Sequence, residues 1–224
     1  MKKAHFLVEG RTEAFFVTQV LVPHFLKFSV APNPIEIKTR QPYAGAASRG
    51  GIVAYSLIRE QLKRLLGDSS AAWVTTMFDF YQLKKDFPGM DKLPRGSARD
   101  NVRFIEAEMQ TNLNHQRFVP YLQLHEFEAL LFSQPEQISA AFPKDKREKE
   151  LVAIRKSFPT PEDINHDQPP SKRLKQLVPQ FDKVNIGVQI AASIGLETMR
   201  RECPHFHQWL QKLETFSKET KDDR

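Results

Sequence analysis

Along the first two-thirds of the chain, apolar residues fall in short runs separated by stretches of helical period. Residues 4–9 predict a strand, 13–27 a helix, 35–39 a strand and 52–66 a helix. The pattern continues with strand 72–78, helix 98–112, strand 117–124 and helix 126–132. Such alternation predicts an α/β fold whose mainly parallel sheet carries helices on both faces. Thr12 reads as the N-cap of the first helix, and Pro32-Asn33-Pro34 as a break before the second strand.

The character changes at Pro143. Residues 144–150 form a mixed charge run, the pattern of a solvated helix face, and a Pro-rich loop spans 158–170. Helices follow near 171–178, 182–201 (broken around Gly195) and 204–216, with a frayed tail over 218–224. The expected organisation is an α/β core over 1–142 and a helical region over 143–224 packed on it.

Three of the apolar runs end in acids. The first stops at Glu9-Gly10-Arg11-Thr12-Glu13, the run from Ala72 to Phe78 at Asp79, and the run from Phe118 to Leu124 at His125-Glu126-Phe127-Glu128. In open α/β sheets, ligands sit outside the carboxyl ends of the strands. Carboxylates arriving there from separate strands suit a hard, oxygen-seeking cation such as Mg2+ or Mn2+. Glu9 ends a strand before a glycine, whereas Glu13 also has the plain role of complementing a helix N-terminus. The spacing leaves open which of Glu126 and Glu128 faces the pocket.

Composition adds a second side to this picture. The 224 residues carry a net charge of +6, with a pI near 9.4, which favours anionic partners such as nucleic acid. Lys84, Lys85 and Arg99 lie on the long connection after Asp79, where cations can position phosphates. Ser171 reads as an N-cap, placing Lys172 and Arg173 at the positive end of a helix, a conflict that a bound phosphate would relieve. No apolar stretch approaches the roughly 20 residues of a membrane span. The single Cys203 excludes an internal disulfide, and a reducing cytoplasm is the expected setting. The glycines of 45–51 lack a P-loop ending, and Cys203-Pro204-His205-Phe206-His207 lacks a second pair of zinc ligands.

Val8-Glu9-Gly10-Arg11-Thr12-Glu13 resembles the opening motif of Toprim (topoisomerase–primase) domains, especially those of overcoming-lysogenization-defect (OLD) nucleases. The whole chain looks like a bacterial family of small stand-alone Toprim-like proteins of unknown function. The likeness is carried further by Val74-Thr75-Thr76-Met77-Phe78-Asp79-Phe80-Tyr81, by Pro120 to Phe132, and by Pro161-Glu162-Asp163-Ile164-Asn165. Pro170 to Leu174, Asp182-Lys183 and Cys203-Pro204-His205-Phe206 complete it.

The resemblance implies a Mg2+- or Mn2+-dependent nuclease in which Glu9 is the general acid/base and Glu13 and Asp79 are metal ligands. Toprim domains often carry Asp-x-Asp where this chain has Asp79-Phe80-Tyr81; Glu126 or Glu128 would supply the missing acid. Lys183 or Lys172 would steady the scissile phosphate. Relatives of this kind are often encoded beside an ABC-like or AAA-type ATPase in systems suspected of phage defence. The alternative is a non-catalytic regulatory or scaffolding subunit of such a complex. A homo-oligomer and the choice of DNA or RNA stay open, and a topoisomerase or primase is disfavoured by the short chain.

Overall fold

Lys2–Val8 (β1), Val30–Glu36 (β2) and Ala71–Asp79 (β3) pair as parallel strands in a computed structural model that describes residues 1–38, 53–164 and 168–222. The glycine-rich segment 45–51, residues 165–167 of the Pro-rich loop and the last two residues lie outside the described residues. The strand order is β2-β1-β3-β4, where β4 is Phe118–Val119, and Leu122–Gln123 (β5) also pairs with β3. Every pairing is parallel. The expected α/β architecture is therefore present.

β1 and β3 are buried on both faces, as the strands of a parallel sheet must be. Phe6 and Val8 of β1 and Trp73 and Met77 of β3 enter one core cluster. Leu7, Val74 and Phe78 enter the other, which shows the two-residue period of a strand. Tyr55–Leu66 (α3) and Ala98–Leu113 (α4) cover the second face. Arg11–Phe16 (α1), continued by a π-turn over Val17–Leu21 and by Val22–Phe25 (α2), covers the first.

The later helices share that first face. They are Pro135–Ala141 (α5), Glu148–Lys156 (α6), Pro170–Leu177 (α7), Val188–Ile194 (α8), Leu196–Glu202 (α9) and Pro204–Asp222 (α10). Leu151, Leu174, Ile190, Met199 and Leu210 all join the cluster that holds Phe6 and Trp73. α10 is bonded to β3 by its Trp209 Nε1, which donates to Thr75 Oγ1 at 2.9 Å, and by Ser217 Oγ, which accepts Trp73 Nε1 at 2.9 Å. The helix runs on to Asp222, where the sequence suggested a frayed tail. As expected, Gly195 separates α8 from α9, with a φ of 79° that favours glycine. Among the described residues, no helix is long and apolar enough to cross a membrane.

Pro32 and Pro34 sit inside β2, which starts at Val30 and not at residue 35, because β2 is an edge strand that tolerates missing donors. Pro120 splits the expected strand 117–124 into β4 and β5. Both halves keep one register, with Thr75 opposite Val119 and Asp79 opposite Gln123. Thr76 bridges the gap: its Oγ1 donates to Tyr121 O and accepts Tyr121 N, each at 2.9 Å. Thr76→Val should leave both buried backbone groups of Tyr121 unpaired and cost about 2–3 kcal/mol in urea unfolding. Thr76→Ser should lose about 1 kcal/mol, chiefly its buried methyl; equal losses for the two variants would refute the bridging role.

Candidate active site at the carboxyl edge of the sheet

β1 and β3 run side by side, with Val8 opposite Met77, so Glu9 and Asp79 emerge at the same edge of the sheet. Gly10 is the N-cap of α1, two residues before the expected Thr12, because Glu13 Oε2 reaches back to accept the Gly10 amide at 3.2 Å. That turn swings Glu13 over the strand ends and buries it. At the end of β5, His125 adopts a left-handed φ of 62°, and the helix expected over 126–132 is present as a 3-10 helix over Phe127–Ser133. Asp79 Oδ1 accepts the amide of Phe127 at 3.0 Å, which joins the two strand ends.

Lys183 completes the site from the helical region. Asp182 Oδ1 accepts the amides of Val184 at 2.9 Å and Asn185 at 3.1 Å, capping the π-helical turn Lys183–Gly187. The Lys183 ammonium lies 3.3 Å from Asp79 Oδ2, 3.4 Å from Glu13 Oε1 and 3.6 Å from Glu128 Oε2. The Phe127 ring flanks it, with Nζ 5.8 Å from the ring centroid. Three carboxylates thus share one cation.

The two glutamates left open in the sequence have different partners. Glu128 faces the ammonium, while Glu126 Oε2 accepts the Ser171 amide at 3.0 Å, at the first turn of α7. The N-cap of α7 is Pro169, not Ser171, and the anion at this helix end is a side chain of the protein itself. Lys172 is exposed beside it. Arg173 donates from Nε to Gln168 O at 2.6 Å and lies over the Phe158 ring. Arg99 turns away from the strand ends to Thr160, Glu162 and Asp163, at 3.3, 3.7 and 3.4 Å. Lys84 and Lys85 are exposed on the connection that leaves Asp79.

Burial dominates the electrostatics. It pushes Glu9, Glu13 and Glu128 up to about 7. Asp79 is also raised, first by burial, against the pull of Lys183. For Glu9 the neighbouring Asp79 charge adds to the effect, and Lys183 opposes it. Burial works against the Lys183 charge, but Asp79, Glu128 and Glu13 together hold it well above the ordinary lysine range. Glu9 Oε2 is buried without a hydrogen-bond partner among the described residues.

These donors fit a hard divalent cation: three acids meet a single ammonium with Glu9 beside them, and two buried carboxylate oxygens, Glu9 Oε2 and Glu128 Oε2, lack a hydrogen-bond partner among the described residues. Among the described residues, no three His, Cys, Asp or Glu side chains stand arranged as a ready metal site. The ammonium lies at the point that Glu13, Asp79 and Glu128 share. The backbone amides of Phe127 and Ser171, which hold Asp79 and Glu126, leave no mark in a pattern of side chains. The Cys203 cluster is structural in its contacts: Cys203 is buried against Ser133, and His205 Nε2 meets Glu106 at 3.0 Å.

Carboxyl groups raised above their unfolded range bind more protons in the folded state, so stability falls as pH climbs through that interval. Metal-free protein should melt at lower temperature at pH of about 8 than at about 5, and Mn2+ should raise the melting temperature more at the higher pH, since ligation needs ionised carboxylates. Differential scanning fluorimetry in EDTA and in Mn2+ checks both; a Mn2+ shift independent of pH would contradict this picture.

No curated protein gives a significant match to the chain. Among solved structures, it is similar to the C-terminal region of the Burkholderia pseudomallei OLD protein, at 12% identity and a TM-score of 0.49, covering 97% of this chain and 99% of that one. The C-terminal region of the Xanthomonas campestris pv. campestris OLD protein is similar at 14% identity and a TM-score of 0.40, over 96% and 97% of the two chains. Residues 8–214 match the family model described as a domain of unknown function, DUF4276, and the chain belongs to that family.

Proposed function

We propose that this protein is a Mg2+-dependent nuclease that hydrolyses phosphodiester bonds of DNA or RNA. The observation that carries this reading is the gathering of Glu13, Asp79 and Glu128 around Lys183, beside Glu9, at the carboxyl edge of a parallel sheet. Glu9, Glu13, Asp79 and Glu128 would hold the metal. When bound, such a cation neutralises charge on the attacking and leaving oxygens of an in-line displacement. Glu9, at the end of β1 with its Oε2 buried and unpartnered among the described residues, is suited to take a proton from the attacking water or return one to the leaving oxygen. Lys183 is suited to steady the scissile phosphate, and Lys84, Lys85 and Lys172 to attract the backbone. Arg99 and Arg173 would join them only by leaving their present partners.

The same reading makes the chain the effector subunit of a cytoplasmic phage-defence system, with a separate ABC-like or AAA-type ATPase. It rests on the motif resemblance. A second reading, a non-cleaving regulatory subunit, draws support from Tyr81 standing where Toprim domains often have a second aspartate.

The deciding assay compares wild type with Glu9→Gln on plasmid, single-stranded DNA and tRNA, with Mg2+ or Mn2+, with and without the ATPase. Gln keeps the size of Glu but not its charge, so cleavage should fall at least about 100-fold while the fold is retained. Equal activity of the two proteins would refute the assigned site, and inactivity of a verified complex would favour the regulatory subunit. Lys172→Ala should weaken substrate binding and lower the salt slope by about one counterion, measured by anisotropy across a salt series.

A further inference from the structure

The residue that departs from the Asp-x-Asp pattern is also the most exposed aromatic ring among the described residues. Tyr81 is 57% exposed, two positions after Asp79, whose carboxylate contacts Lys183. It makes no hydrogen bond or ring contact among the described residues, yet the backbone beneath it is held. Phe80–Gln82 forms a 3-10 turn, closed by the Leu83 amide on Phe80 O at 3.2 Å. Phe80 and Leu83 pack against the second core cluster, and Phe87 is buried in it. Asp86 Oδ2 accepts the Tyr55 amide at 2.8 Å and pins the connection to the start of α3. On this anchored segment Tyr81, Gln82, Lys84, Lys85 and Asp86 are exposed; the Asp86 carboxylate is held by the Tyr55 amide, and Tyr81, Lys84 and Lys85 supply the ring and the two cations.

An aromatic face next to lysines, on a fixed backbone, has the makings of a stacking platform for a base whose phosphates the cations attract. A base inside a duplex offers its edges but not its faces, so only an unpaired nucleotide can use such a ring. We infer that Tyr81 stacks an unpaired base beside the carboxylates and makes single-stranded nucleic acid the preferred substrate of this site. The inference rests on the nuclease reading and narrows its substrate class.

The test measures binding of a short fluorescein-labelled oligothymidylate, and of its duplex with oligoadenylate, by anisotropy with Ca2+ replacing Mg2+ so that binding is read apart from cleavage. Tyr81→Ala should raise the single-strand Kd about 5- to 100-fold, leave the duplex Kd within about twofold, and keep the salt slope, since no phosphate contact is lost. Tyr81→Phe should bind like wild type. Lys84→Ala should lower the salt slope for both substrates. An unchanged single-strand Kd for Tyr81→Ala, or an equal loss on both substrates, would overturn the inference. So would a loss of ATPase binding with nucleic-acid affinity intact, which would assign the ring to a protein interface. If single strands bind through Tyr81 but no cleavage occurs in Mn2+, the nuclease reading fails and the platform stands. If wild type binds neither substrate, both fail.

Discussion

One ammonium group among buried carboxylates sets the arrangement of the whole carboxyl edge. Glu13, Asp79 and Glu128 come from a helix start, a strand end and a 3-10 turn, and each is almost wholly buried. Left together without a cation, they would repel one another and lack the hydration that ionised groups need. Lys183 meets all three at 3.3–3.6 Å and so ties the helical region after α7 to the sheet. Glu126 does the same for α7 through the Ser171 amide, and the Phe127 amide holds Asp79. The acids are therefore a structural joint as well as a candidate site.

This joint differs from a surface ion pair in its charge balance. Three acids meet one ammonium with Glu9 beside them, and burial first, then the neighbouring negative charges, favours keeping protons, which the raised carboxyl groups of Glu9, Glu13 and Glu128 reflect; another cation would relieve the same imbalance. A basic chain around an acidic pocket then has a consistent physical sense. Under the proposed function, the pocket would attract a divalent cation, and the outer lysines the polyanion that such a cation would act on. Perturbed carboxylates at a strand-end site are a pointer to chemistry rather than to stability alone.

Much of this was legible in the sequence because parallel strands announce themselves. β3 is buried at all nine positions, and its apolar run stops at the acid that matters. β1 is likewise buried from Ala4 to Val8, and Glu9 follows directly. Helix starts were less legible: Thr12 and Ser171 look like N-caps, but Glu13 reaches back to the Gly10 amide within its own turn and Glu126 reaches the Ser171 amide from 45 residues away. Pro32 and Pro34 look like a break because the pattern alone does not reveal that β2 is an edge. Pro120 interrupts a strand that survives through the hydroxyl of Thr76, a tertiary rescue without local signal. Lys183 entered only through a motif resemblance, since a lysine 104 residues from Asp79 gives no local pattern to link the two. The choice between Glu126 and Glu128 needed three-dimensional packing.

The central claim is that these acids form a cation site now spanned by Lys183. A crystal structure of the protein soaked in Mn2+, read by anomalous scattering, tests it most directly. The account predicts a Mn2+ ion within about 2.1–2.3 Å of carboxylate oxygens from both Glu9 and Asp79, with the Lys183 ammonium moved off their shared centre. A saturating soak that leaves Lys183 in place, with no metal bound to Glu9 or Asp79, would contradict it.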